Sequence, residues 1–248
     1  MNSVTPVRPH KPLETFYDEP QKRAAYLNDL FDNTAQHYDW ISSVLAFGSD
    51  KRYREMALRK AGLKTGMKLL DVATGTGLVA QAALDLGINP ADIVALDPSR
   101  GMLRENMKKR PLFMVQGVGE RLPFPGSTFD FITMGYALRH VETLDALFQE
   151  FIRVLKPEGS LLVMELSRPE SKPLHSVMKL FMEKAVPLIA RFRTRDEKLP
   201  ELMRYYWATI EECVPPADIV TTLKNTGFSK VERRKFGPVL NDYYAQKS

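Results

Sequence analysis

Five short apolar runs, 67–73, 92–96, 112–115, 129–134 and 160–166, alternate with stretches at helical spacing, 78–86, 99–109 and 144–155. A strand buried on both faces reads as a continuous apolar run, and strands separated by helices are joined by crossovers. The pattern predicts a parallel sheet with helices on both faces, and few other layer architectures accept it. After Leu166 the alternation stops. Residues 173–209 read as helix, which Pro187 must kink or end. Another helix, over about 216–226, stops at Gly227, a residue suited to a left-handed cap. Two last strands, near 230–236 and 239–246, flank Gly237-Pro238 and place an antiparallel strand beside the parallel ones. The reading is a Rossmann-like, doubly wound α/β sheet of seven strands, mostly parallel, with a C-terminal antiparallel hairpin. An N-terminal helical extension and a helical cap insertion complete it.

At 248 residues the chain can bury one sizeable core, and it reads as a single domain over 1–248. A loose arm (1–20) and helices punctuated by Gly48 and Ser49 fill 1–62; the sheet core follows at 63–170, the cap at 171–215, and the last helix and hairpin at 216–248. The net charge is +5, but the basic residues are dispersed, and the short clusters at 108–110 and 233–235 read as solvated faces. That argues against nucleic acid as a partner. A lone cysteine, Cys213, excludes a disulfide framework and a cysteine metal site, and no His or carboxylate cluster has ligand spacing. No run reaches the ~20 apolar residues of a membrane span. A cytoplasmic protein is expected, with peripheral membrane contact and a homodimer left open.

The segment Leu69-Leu70-Asp71-Val72-Ala73-Thr74-Gly75-Thr76-Gly77-Leu78 is a strand entering a glycine turn and then a helix, and Asp97 closes the next strand. Glycines there let a ligand approach the backbone, and a carboxylate at the second strand end can accept both hydroxyls of a ribose. Gly75 to Ala80 also satisfies the G-x-G-x-x-A pattern of dinucleotide sites, so this motif alone fits two ligands. Three further features separate them. Asp71 precedes the glycines, where a carboxylate suits a ligand carrying an ammonium group and repels a pyrophosphate. Residues 119–125 follow the third strand, with Phe129-Asp130 opening the fourth. Val154-Leu155-Lys156-Pro157-Glu158-Gly159 then turns a helix into the fifth strand.

Asp71 to Gly77, Asp97-Pro98-Ser99 with Met102-Leu103, Leu122-Pro123-Phe124 and Leu155 to Gly159, in this order, resemble class I methyltransferases that use S-adenosylmethionine. Phe31 to Asp39, Phe47-Gly48, Tyr53-Arg54, Ala137 to Val141, Met164 to Pro169 and Arg204-Tyr205 resemble the ubiquinone and menaquinone C-methyltransferases more closely. The likeness spans about 28–236. It implies that Tyr38 and Arg54 hold the methionine carboxylate. It further implies that Asp71, Ala73, Thr74, Gly75, Gly77, Asp97, Pro98, Met102, Gly117, Val118, Gly119 and Tyr136 surround the cofactor. The chain departs from that family at Ala137-Leu138-Arg139-His140, where Gly-Leu-Arg-Asn is usual. It departs again at Val118, where a small polar residue usually takes the adenine amino group, and at its C-terminal end.

Methyl transfer from a sulfonium needs alignment and exclusion of water more than it needs a metal. An aromatic carbon becomes nucleophilic once a neighbouring phenol loses its proton, which calls for a base or a cation near the oxygen. Arg139, His140 and Glu165 follow the fourth and fifth strands and are the candidate catalytic residues, with His140 as a base. The plainer alternative pairs Arg139 with a surface carboxylate such as Glu142 and has His140 capping the next helix. His10, His37 and His175 read as surface residues. The expected acceptor is a small aromatic or quinone-like molecule walled by the aromatic insertion (Phe181, Phe192, Tyr205, Tyr206, Trp207). O- or N-methylation of another metabolite, and a silent ligand-binding scaffold, remain the alternatives.

Overall fold

The computed structural model describes residues 6–17, 19–45, 50–189 and 198–248. Phe47, Gly48, Ser49 and Phe192 lie outside them. Among the described residues seven strands form one sheet: β1 (Leu69–Val72), β2 (Ile93–Asp97), β3 (Phe113–Gln116), β4 (Phe129–Gly135), β5 (Leu155–Leu166), β6 (Phe228–Phe236) and β7 (Leu240–Lys247). Their order is β3-β2-β1-β4-β5-β7-β6. The first five run parallel, and β7 enters antiparallel between β5 and β6.

Side chains alternate across a strand, and the two sheet faces sort accordingly. Leu70, Val72, Ile132, Leu161 and Val163 join a core with α6 (Leu144–Val154) and α9 (Pro216–Thr226) through Phe148, Phe151, Ile219 and Leu223. Their neighbours Leu69, Phe131, Leu162 and Met164 pack on the other face with α3 (Asp50–Lys60) and α4 (Leu78–Asp85) through Leu58, Ala80 and Ala83. The sheet is thus doubly wound, as the continuous apolar runs required.

A third core joins the N-terminal helices to the cap. Leu27 and Leu30 of α1 (Arg23–Thr34) and Ile41 of α2 (Tyr38–Leu45) pack with Met182, Val186 and, from α8 (Lys198–Glu211), Leu202, Tyr205 and Trp207. The N-terminal extension and the cap therefore form one body. Among the described residues no helix is long and apolar enough to cross a membrane.

Several expectations are corrected. Residues 6–17 of the arm are docked: Val7 N donates to Asp145 Oδ2 (2.6 Å), Leu144 N to Val7 O (2.8 Å) and Val214 N to Pro9 O (2.8 Å), while Leu13 and Tyr17 are buried. His10 is buried with it. Strand β5 starts at Leu155, five residues early, because the 156–159 turn is a bulge: Leu155 pairs with Phe129 and Ser160 with Phe131. Ahead of Pro187 the cap helix is distorted, one of the two outcomes expected of that proline. The chain runs through α7 (Lys172–Leu180) into a π turn, Phe181–Ala185, and is helical again at 186–189. Pro187 has no N–H for the Glu183 carbonyl four residues back, and a widened turn absorbs that missing bond.

Candidate active site

The strand order reverses between β1 and β4, which opens a crevice beyond the carboxyl ends of the strands. The chain leaves β1 through Ala73 and Gly75 with φ of +51° and +56°, and leaves β4 through Tyr136 with φ of +60°. Non-glycine residues held at positive φ concentrate where structure serves a ligand. All three line a cavity of about 250 Å³. Two larger depressions, about 590 and 690 Å³, are open grooves on the outer surface.

The two glycines of the turn serve different ends. At Gly75 a Cβ would meet nothing, so this position is an open shelf beside the cavity. At Gly77, the N-cap of α4 with φ of +85°, a Cβ would sit 2.3 Å from Asn106 Oδ1. Asn106 is wholly buried in α5 (Arg100–Met107), and beside it Arg110 Nη1 donates to Thr76 O at 2.6 Å. Gly77 therefore lets α5 brace the turn from behind.

Asp97 lines the cavity at the end of β2. Its two oxygens accept from Gly75 N and Ser99 N, each at 2.8 Å, which orients the carboxylate and leaves a lone pair on each oxygen. Burial, with the nearby charges of Asp71 and Asp32, pushes its pKa up to about 7. Asp71 behaves differently. It is wholly buried, does not line the cavity, and accepts from Thr74 Oγ1 (2.6 Å) and Thr133 Oγ1 (2.8 Å). Burial raises it to about 6. It ties the start of the turn to β4.

Two carboxylates from the N-terminal extension were not singled out individually by sequence reasoning, although both fall in the 31–39 motif. Asp32 accepts from Ser99 Oγ and, at 2.8 Å, from Gly101 N; Asp39 accepts from Thr76 Oγ1 and from Lys109 Nζ at 2.6 Å. They fasten α1 and α2 to the loops after β2 and β1. At Gly101 a Cβ would lie 2.6 Å from Asp32 O, so this contact is close on both sides.

Aromatic rings complete the lining. Phe31, Tyr38, Tyr136 and His140 line the cavity, and His140 stacks on Tyr205 and Tyr206, ring centroids 5.5 and 5.8 Å away. His140 Nδ1 lies 3.2 Å from Tyr205 Oη, and Nε2 is buried with no partner. Burial, then Arg139 and Arg23, hold its pKa well below the usual imidazole range, so it stays neutral near pH 7. Tyr38 is hydrogen-bonded to Tyr206.

Arg139 and Glu165 do not line the cavity. They form a buried ion pair, Nε to Oε1 at 2.9 Å, and Arg139 also donates to Thr209 Oγ1 (3.1 Å) and Tyr136 O (3.3 Å). The pair binds the ends of β4 and β5 to α8, and Glu142 is not the partner. Arg54 is likewise set back: it pairs with Asp50 at 2.6 Å and lies 5.3 Å over the Tyr136 ring, with Nε buried and unpaired. Pro98, Met102, Val118 and Gly119 line the cavity; Thr74, Gly77 and Gly117 do not. Val118 is exposed and offers an apolar edge. His175 meets Glu211 Oε1 at 3.1 Å and packs on Trp207.

An open glycine shelf, a carboxylate with free lone pairs at the second strand end and an apolar slot of Leu96, Met102 and Val118 fit the amino-acid, ribose and base parts of S-adenosylmethionine. This fold and this site define a methyltransferase that uses S-adenosylmethionine. The model of the ubiE/COQ5 methyltransferase family matches residues 19–241. A demethylmenaquinone methyltransferase of Renibacterium salmoninarum is 32% identical over 214 residues, 86% of this chain and 88% of the relative. A ubiquinone/menaquinone biosynthesis C-methyltransferase of Shewanella halifaxensis is 34% identical over 200 residues, 76% and 79% of the two chains. The fold also matches a SAM-dependent methyltransferase of Thermotoga maritima, with a TM-score of 0.63 and 19% identity over 89% of this chain and 99% of that one. The chain belongs to the ubiE/COQ5 methyltransferase family.

Proposed function

We propose that the chain methylates a ring carbon of a small aromatic or quinone-like acceptor that carries an ionisable hydroxyl, as a step of quinone biosynthesis. The names of the two relatives support the acceptor class. The observation that carries the chemistry is His140: a neutral imidazole on the cavity wall, stacked on tyrosines, with Nε2 buried and without a partner. A buried nitrogen with no hydrogen bond is costly, and a ligand hydroxyl satisfies it.

When bound, S-adenosylmethionine supplies a methyl carbon activated by its sulfonium. The residues proposed to hold it are Tyr38, Gly75, Asp97, Met102, Val118, Gly119 and Tyr136, with Asp97 accepting the ribose hydroxyls. His140 Nε2 takes the proton of the acceptor hydroxyl, and the freed charge delocalises to the adjacent ring carbon. For that nitrogen to be open, the other ring proton sits on Nδ1 and is donated to Tyr205 Oη. The aromatic walls exclude water and present the ring edge. Arg139 and Glu165 act as positioning residues, since they touch the frame of the wall rather than its surface. On the outer face of the cap, Val177, Leu180 and Leu188 are exposed, which supports peripheral contact with lipid; flotation with liposomes tests it.

Oxygen lies beside the same base, so methyl transfer to oxygen is the competing outcome. Turnover of 13C-methyl-labelled cofactor with a 2-alkyl-1,4-naphthalenediol, read by NMR, decides between them. The proposal expects the label on ring carbon. Label on oxygen contradicts it.

A further inference from the structure

Five buried side-chain nitrogens among the described residues have no hydrogen-bond partner, and two of them, His140 Nε2 and Arg23 Nε, belong to residues that line the same cavity. They are complementary. Neutral His140 offers an acceptor, whereas Arg23 Nε carries a hydrogen with nothing to receive it.

Arg23 opens α1 and reaches across to the loop that holds the histidine. Its Nη1 donates to Val141 O at 2.9 Å and its Nη2 to Arg139 O at 3.2 Å, the carbonyls on either side of His140. Its remaining polar partners are the His10 ring at 3.5 Å and the Tyr205 hydroxyl. None of these partners is anionic. A half-buried cation beside a cavity, held by neutral groups and keeping one hydrogen in reserve, is what a developing negative charge requires. The groups facing His140 are Arg139 beside it, Arg23 from α1, His10 from the docked arm, and Tyr205 and Tyr206 from α8. The ionised ones are cations, which favours an oxyanion there, although Glu120 and Glu142 line the same cavity farther along. Once formed, the oxyanion offsets the cations and lets the imidazole hold the proton it has taken.

We infer that Arg23 and His140 together receive the hydroxyl of the methyl acceptor, with Arg23 holding the oxygen as it becomes an oxyanion. This rests on the acceptor class proposed above. The proton passes from the hydroxyl to His140 Nε2, and the electron pair it leaves stays on the oxygen opposite the guanidinium. Arg23 is then a catalytic residue contributed by the N-terminal extension, outside the sheet core.

The test uses full-length protein loaded with S-adenosylhomocysteine and 4-nitrophenol, whose ionisation is read from its visible absorbance. On wild type the apparent pKa of the bound phenol should fall by about one unit, a tenfold rise in its ionisation constant. Arg23→Gln should abolish that fall, and Arg23→Lys should keep at least half of it. A merely structural clamp on the 139–141 loop would make the two variants fail alike. Thermal melting and S-adenosylhomocysteine affinity serve as folding controls. An undiminished fall in Arg23→Gln overturns the assignment while leaving the acceptor class standing. Wild type that binds no 4-nitrophenol removes the acceptor class, and this inference with it.

Discussion

The two walls of the cavity are built in opposite ways. The cofactor-side wall is mostly backbone, formed by consecutive turns after β1 and β2 and fixed by hydrogen bonds to Asp97, Asp32 and Asp39. The acceptor-side wall is mostly side chain. It brings Phe31 and His140 together from distant segments, while Tyr205 and Tyr206, expected from the sequence to wall the acceptor, do not line the cavity and stack behind His140. A wall made of backbone accepts one ligand shape whatever the neighbouring side chains. A wall made of side chains can change its acceptor by a few substitutions, and here it carries His140.

The same difference decides what the sequence alone discloses. The first wall is local, so Gly75 and Asp97 can be read from a strand-turn-helix unit, and Met102 from the family resemblance. The sheet is legible for a related reason, since its strands are continuous apolar runs. The second wall depends on contacts that leave no periodic trace. Arg23 meets carbonyls 116 and 118 residues away, and Asp32 meets Ser99 across 67. His10 has no feature that distinguishes a surface histidine from a buried one. Arg139 and Glu165 read as catalytic because both sit at strand ends, yet their geometry places them behind the wall.

The largest effect should come from the frame the walls share. Arg139→Ala leaves Glu165 buried and uncompensated, and should lower unfolding free energy by about 3–5 kcal/mol in urea titrations. Replacing the two together with Met and Leu should recover most of it. His140→Ala should lower kcat by about 100-fold or more in protein that still melts cooperatively, measured under saturating cofactor. A smaller loss would move the base elsewhere on the acceptor wall. Asp32→Ala frees Ser99 and Gly101 and should weaken S-adenosylhomocysteine binding by about tenfold in calorimetry, without altering the acceptor KM. Equal effects on both constants would mean that the walls are not separable.

The smallest effect is a pH dependence. The carboxyl of Asp97 is raised to about 7 in the free protein, and ribose hydroxyls favour its ionised form. S-adenosylhomocysteine affinity should therefore rise from pH 6 to 8 by up to about tenfold, and Asp97→Asn should bind weakly with a flat profile. Stability of the free protein runs the other way. A carboxyl whose folded pKa is raised stabilises below the unfolded value near 4 and loses that contribution as pH climbs through about 7.

The most direct test of a cavity with two independent walls is calorimetric titration of S-adenosylhomocysteine into wild type, Asp97→Ala and His140→Ala. Loss of the ribose acceptor should weaken binding by about 100-fold, whereas His140→Ala should stay within about twofold of wild type. Weakening of both variants alike would contradict the division of cofactor and acceptor between the two walls.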